Sequence, residues 1–172
     1  MKKITLFLFT VLFSLNIYAQ KEPFQGNATL PSVDLKTLDG QIFNTQSIDN
    51  DGKPIIISLW ATWCMPCREE LEAISIVYDD WIEETGVKLY AISIDDSRTA
   101  SKVAPFVRSK GWEYVILQDI NADFKRALNV TDVPYLCILN GNREIVWAHS
   151  SYAQGNEDEI FEIIKKLSTQ EK

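Results

Sequence analysis

Residues 53–60, "KPIIISLW", hold three consecutive isoleucines in one continuous apolar run, and residues 87–94, "VKLYAISI", form a second such run. Strands of this kind have no face to give to water, so they belong inside a sheet covered on both sides. The segment between them is helical. In "CREELEAISIVYDDWIEETG", residues 67–86, Leu71, Ile74, Val77, Tyr78, Trp81 and Ile82 recur at steps of three and four, and Gly86 ends the pattern. Before the first run, "VDLKTLDGQIF" (33–43) alternates and turns at Asp39-Gly40, the pattern of a hairpin. After the second run come a capped helix over 95–111, continuous or interrupted before Pro105, a strand over 113–118 and a short helix over 121–130. An antiparallel pair (134–139 and 143–150) and a closing helix follow, the helix capped by Asn156 with Lys165 and Lys166 in its last turn. The order is hairpin, β, α, β, α, β, α, β, β, α. It predicts an α/β domain with a central mixed sheet and helices on both faces.

The first residues predict where the domain works. Lys2 and Lys3 precede an apolar stretch over 4–15, and a small residue, Ala19, stands before Gln20. That is the layout of a secretory signal peptide over residues 1–19, with an apolar core short for a membrane span. The alternative is an uncleaved anchor helix. Residues 20–172 then form one exported, soluble, periplasmic domain. Loss of Lys2 and Lys3 makes the formal charge of −7 more negative still. Such a chain has no electrostatic footprint for nucleic acid and no polybasic membrane patch.

Export makes the three cysteines informative. A disulfide-stapled secreted domain would carry more, in pairs. Structural zinc would need further ligands near Cys64 and Cys67, and only Cys137 and His149 remain, far along the chain. No metal or cofactor is expected. Cys64 and Cys67 stand where the first buried strand hands over to its helix, at the strand end where α/β sheets place their reactive crevice. At that spacing the two Cα atoms lie about 5–6 Å apart, within the window for a disulfide. A structural disulfide closing so short a loop would stabilise little, so the position favours a redox pair. Cys64 at the helix entrance is the attacking thiolate and Cys67, one turn inside, resolves. Pro66 sits in the first turn, where proline is tolerated.

"WATWCMPCREEL" resembles the active-site segment of the thioredoxin superfamily, and of its exported TlpA/ResA-like branch in particular. "LPSVDLKTLDGQIF" is similar to that branch's N-terminal hairpin, and "NVTDVPYLCILNGNREIVW" to its proline-bearing hairpin. "DDSRTASKVAPFVRSKGWEYVILQ" is similar to its extra βα insertion. The resemblance implies a thioredoxin-like fold and a thiol–disulfide oxidoreductase. Cys64 and Cys67 match the catalytic pair, and Pro134 matches the family's cis-proline. Trp63, Met65 and Pro66, with Val133, Pro134 and Tyr135, match the substrate-facing positions. Glu70 falls where reductases of this branch place a glutamate that can take the Cys67 proton. Ser58 stands where thioredoxin has a buried aspartate, which leaves Glu70 as the candidate base.

Departures from the branch carry expectations of their own. Glu72 replaces a frequent proline, which predicts a straighter active-site helix. Tyr135 replaces a small residue, which predicts a narrower or more aromatic groove. Cys137, on a strand, reads as a small core hydrophobe. His149, the sequence's only histidine, reads as a surface or capping residue at a strand end. The Met-Pro dipeptide lacks the histidine of strongly oxidising sites, which favours a reductase. The resemblance implies exported clients with cysteine pairs, apocytochromes c among them, and a membrane electron donor. The rival readings are a copper-binding or copper-site maturation protein using Cys64, Met65 and Cys67, an oxidising or isomerising exchanger, and a peptide-binding chaperone.

Overall fold

The computed structural model describes residues 28–170, so the signal peptide expected over residues 1–19 lies outside the described residues. The first buried run is β4 (Ile55–Trp60), and all six of its residues are buried. It pairs in parallel with β5 (Lys88–Ser93) and antiparallel with β7 (Tyr135–Leu139), which puts it in the middle of the sheet. β6 (Val115–Gln118) continues in parallel beside β5. The predicted hairpin, β2 (Asp34–Thr37) and β3 (Ile42–Asn44), joins the far side of β6 through β2. Gly40 takes the positive φ, 85°, that this turn needs. On the other side, β8 (Glu144–Ser150) pairs with β7 and carries the two-residue β1 (Ala28–Thr29) at the edge. Among the described residues the sheet's eight strands run β1-β8-β7-β4-β5-β6-β2-β3.

Alternation along β4 builds two cores. Ile56 and Trp60 face a cluster with Leu71 and Ile74 of α1 (Met65–Thr85), Val103 and Val107 of α2 (Val103–Lys110), and Ile160 and Ile164 of α4 (Asn156–Gln170). Ile55, Ile57 and Leu59 face the other way, with Phe124 of α3 (Asp123–Ala127) and Leu30, Leu35 and Ile48 from the N-terminal segment. Each isoleucine of β4 is at most 1% exposed, worth roughly 1.5–3 kcal/mol apiece. Both faces are covered, but unequally: three helices on one, and α3 with the N-terminal segment on the other.

Three differences from the sequence reading have local causes. The helix expected from residue 95 begins as α2 only at Val103, after a tight turn on Asp96 and a short 3-10 segment over Ala100–Lys102. Pro105 then sits in the first turn of α2, where its missing N–H costs nothing. Asn156 does not cap α4 by accepting from the helix. It is the first helical residue, and its Oδ1 accepts from the Ala153 N–H before the helix, at 2.6 Å. α4 also runs on to Gln170, so Lys165 lies short of the last turn and pairs with Glu84 at 3.0 Å.

Candidate active site

The site grows from the C-terminal end of β4. Ile94 N–H donates to the Trp60 carbonyl at 2.8 Å, and Trp60 packs its ring edge-on against Trp112 with centroids 5.3 Å apart. The chain then turns through Ala61 and Thr62. Asp95, fully buried, grips that turn: its carboxylate accepts from the Thr62 N–H (2.8 Å), the Thr62 hydroxyl (2.6 Å) and the Ser93 hydroxyl (2.8 Å). Charge-assisted bonds of this kind are the strong ones, so Asp95 fixes the loop on which the first cysteine is mounted. The sequence reading placed Asp95 at a helix start. The signal it offered was an aspartate directly after a buried strand, at the sheet end where sites form.

Cys64 is the N-cap of α1, with extended backbone, and its Sγ accepts from the Cys67 N–H at 3.3 Å. The two sulfurs are joined, with Cα atoms 5.4 Å apart, in the middle of the expected range. Pro66 lies in the first turn. The exposures are graded, Cys64 at 6% and Cys67 at 0%, so the outer sulfur is Cys64. When the bond is reduced, the same N–H and the unsatisfied amides of the helix start favour an anion on Cys64. Trp63 and Met65 flank it at 60% and 61% exposure, two large apolar side chains held out beside the disulfide. β7 begins at Tyr135, opposite Leu59. The cis Val133–Pro134 bond therefore lies beside the end of β4, where the chain departs for Cys64. Val133 packs against both cores.

Tyr135 does not do what the sequence reading expected. It packs with Cys137 and Leu139 in the second core, on the face of β7 turned away from α1, and burial pushes its phenol pKa up. Strand alternation is the reason: the residue after Pro134 points opposite to Leu136, which faces α1. Its side chain cannot narrow a groove on the disulfide side. Cys137 is fully buried in the same second core, and burial pushes its thiol up to about 12, so it stays protonated at neutral pH. Cys137→Ala is expected to leave disulfide-reducing turnover near wild type and to lower unfolding free energy by about 1 kcal/mol, the scale of a small cavity. Insulin-type turbidity assays and denaturant melts check both.

Glu70 is on the buried face of α1 with Cys67, Leu71 and Ile74, its side chain 1% exposed. That burial excludes a solvated helix acid. Its neighbour Glu72 faces outward and pairs with Lys110 at 3.0 Å, and α1 runs unbroken through it. His149 departs furthest from its sequence expectation. It is no surface or capping residue: its side chain is 10% exposed, and Nε2 lies 2.7 Å from Glu70 Oε1. His149 stands opposite Leu136 in the β7–β8 ladder and so shares the face that looks toward α1. The second carboxylate oxygen, Oε2, is buried with no hydrogen-bond partner, as is Ser58 Oγ on β4. Among the described residues no three His, Cys, Asp or Glu side chains gather into a metal-binding group. The soft donors Cys64 and Cys67 are joined to one another.

A family model described as AhpC/TSA matches residues 27–148, most of the sheet together with α1 and the cysteine pair. The chain belongs to the AhpC/TSA family. Its relatives locate it among the thioredoxin-like members. It is 32% identical over 128 residues to the thioredoxin-like protein YneN of Bacillus subtilis, covering 72% of this chain and 71% of YneN. It is 25% identical over 130 residues to the thiol-disulfide oxidoreductase ResA of the same organism, covering 76% and 70%. Among solved structures, an uncharacterized thioredoxin-like protein from Porphyromonas gingivalis superposes with a TM-score of 0.75 at 46% identity. That match covers 83% of this chain and 94% of the other. The fold is thioredoxin-like, as the sequence resemblance implied.

Proposed function

We propose that this chain is an exported thiol–disulfide oxidoreductase that works as a reductase of disulfides in other exported proteins. The observation that carries the reading is the Cys64–Cys67 disulfide at the start of α1, with Cys64 outermost between exposed Trp63 and Met65. In the reduced protein the Cys64 thiolate attacks a client disulfide, forming a mixed disulfide and releasing one client thiolate. Cys67 then attacks Cys64 Sγ, closing the intramolecular bond and releasing the second client sulfur. Two electrons pass from the pair to the client. Trp63, Met65 and Pro66 on one side, and the backbone around Val133 and Pro134 on the other, are the surfaces for the client chain.

The direction rests on charge. A pair becomes a strong oxidant when its thiolate form is stabilised, and the residues between the cysteines, Met65 and Pro66, offer no cation to do so. Glu70 beside Cys67 opposes an anionic sulfur. Export rests on the composition of residues 1–19, and among the described residues no helix is long and apolar enough to cross a membrane. Apocytochromes c as clients and a membrane electron donor rest on the TlpA/ResA-like sequence resemblance. Equilibration against redox buffers tests the direction: the midpoint is expected near the about −270 mV of thioredoxin. A value near the about −120 mV of the strongly oxidising type would reverse the assignment.

A further inference from the structure

We propose that His149 is a positioning residue for Glu70. Its Nε2–H holds Oε1 of the carboxylate and leaves Oε2 as the oxygen that exchanges a proton with Cys67. The inference rests on the reading of Glu70 as the base for the resolving thiol, and adds to it a residue from the opposite end of the chain. The contact spans 79 positions of sequence and joins α1 to β8 across the first core.

The geometry is that of a held group. Nε2 and Oε1 are 2.7 Å apart, with the imidazole 10% and the carboxylate 1% exposed. The imidazole is itself packed against Trp147, ring centroids 4.8 Å apart, and its strand position opposite Leu136 is fixed by the β7 ladder. An ionised carboxylate only accepts, so the imidazole supplies the Nε2 proton to that bond. The bond to Oε1 restrains the carboxylate, and Oε2 is the buried oxygen without a hydrogen-bond partner.

A purely structural role explains this poorly. A buried acid with one bare oxygen carries a desolvation cost that a well-packed apolar pair would not. Two polar residues are kept in a core position, and only one of the two carboxylate oxygens is satisfied. That arrangement suits a group that must accept and return a proton at a fixed place. In the resolving step Cys67 gives its proton to Oε2 and its sulfur forms the bond to Cys64 Sγ. The client sulfur leaves with the electron pair of the broken bond and is protonated from solvent. His149 loses nothing in that step. It holds the acceptor still.

The test is the rate of mixed-disulfide resolution in the full chain, measured for wild type, His149→Leu, His149→Asn, His149→Gln, Glu70→Gln and the double variant Glu70→Gln/His149→Leu. Glutamine carries its amide nitrogen as many bonds from Cβ as histidine carries Nε2, whereas asparagine falls one bond short and leucine has no donor. Leucine and asparagine at 149 are expected to slow resolution about tenfold, the scale of one lost hydrogen bond to a charged group. Glutamine is expected to recover most of that loss. His149→Leu is expected to add less than about twofold in the Glu70→Gln background, because the carboxylate it positions is gone. The first exchange, attack of Cys64 on the client, is expected to be unchanged by every His149 variant. If Glu70→Gln slows resolution while leucine and asparagine at 149 do not, the positioning role is overturned and Glu70 stands. A His149→Leu loss that is undiminished in the Glu70→Gln background also overturns it, as does failure of glutamine to rescue. If Glu70→Gln itself is silent, the underlying reading falls, and this one with it. Should His149→Leu fail to fold, the asparagine–glutamine contrast, with asparagine repeated on Glu70→Gln, decides by the same criteria.

Discussion

Cys67→Ser is expected to abolish turnover of a protein disulfide and to arrest the client on Cys64 as a stable mixed disulfide. The reason lies in the order of burial. Cys64 is the outer sulfur, at the N-cap of α1 and flanked by exposed Trp63 and Met65, whereas Cys67 is completely covered. A client disulfide can reach Cys64 and cannot reach Cys67, so the first bond forms on Cys64 and only an intramolecular attack by Cys67 can break it. With serine at 67 that attack is gone, and the hydroxyl that replaces it does not exchange with sulfur. The remaining thiol cannot substitute. Cys137 is sealed in the second core on the other face of the sheet, and burial holds it protonated at neutral pH. Mass spectrometry of trapped adducts should find client peptides linked to Cys64, and limiting alkylation of the reduced wild type should label Cys64 well before Cys67. Adducts on Cys67, or a Cys67→Ser protein that still turns over, would contradict the assignment.

The local part of this architecture could be read directly from the sequence. The apolar run that becomes β4, the three-and-four spacing that becomes α1, and the Gly86 stop are signals carried within a few residues of each other. The structure places α1 over Met65–Thr85 and gives Gly86 a left-handed φ of 66°. The cysteine pair was legible for the same reason, since its spacing and its place between strand and helix are local facts. The departures at the site depend on which long-range neighbour a residue meets. Adjacency to Pro134 in sequence points Tyr135 toward the groove, but strand alternation turns its side chain to the far core. His149 looked like an end-of-strand surface residue until the β7–β8 register set it opposite Leu136 and brought it onto Glu70. Asp95 looked like part of a helix start, and its value lies in reaching Thr62, 33 positions earlier. The two-residue β1 has too little sequence to show a period, and only its pairing with β8 makes it a strand.

Those long-range contacts converge on one small region, and this gives the fold a mechanical reading. Asp95 fixes the loop before Cys64 from the end of β5, and His149 fixes Glu70 from β8. Asp95 directly follows β5, a neighbour of β4, and His149 lies on β8, hydrogen-bonded to β7, so both supports are tied to the sheet that carries the site. Exchange needs three sulfurs in line, and a scaffold of this kind keeps the attacking and resolving sulfurs and the proton acceptor from drifting apart.

Glu70→Gln carries the second large expectation, a slowing of mixed-disulfide resolution by about 10²-fold. Cys67 is a buried thiol that must lose its proton before its sulfur can attack, and at full burial solvent is a poor acceptor. Glu70 lies one helical turn away on the same buried face of α1, with Oε2 free of other bonds. Ser58, buried on that side of β4, can only donate or accept a hydrogen bond at neutral pH and cannot serve as a base. Glutamine keeps the length and shape of the side chain, and its carbonyl oxygen can still accept from His149 Nε2, so the packing around the site is preserved. What disappears is the proton acceptor and its negative charge. The first loss slows resolution. The second makes Cys64 a stronger acid, because an anion that opposed its thiolate has been removed. The two effects must appear together, in stopped-flow resolution rates and in the pH titration of thiolate absorbance. An unchanged rate with an unchanged Cys64 titration would take Glu70 out of the mechanism, and the proton of Cys67 would have to leave by another path.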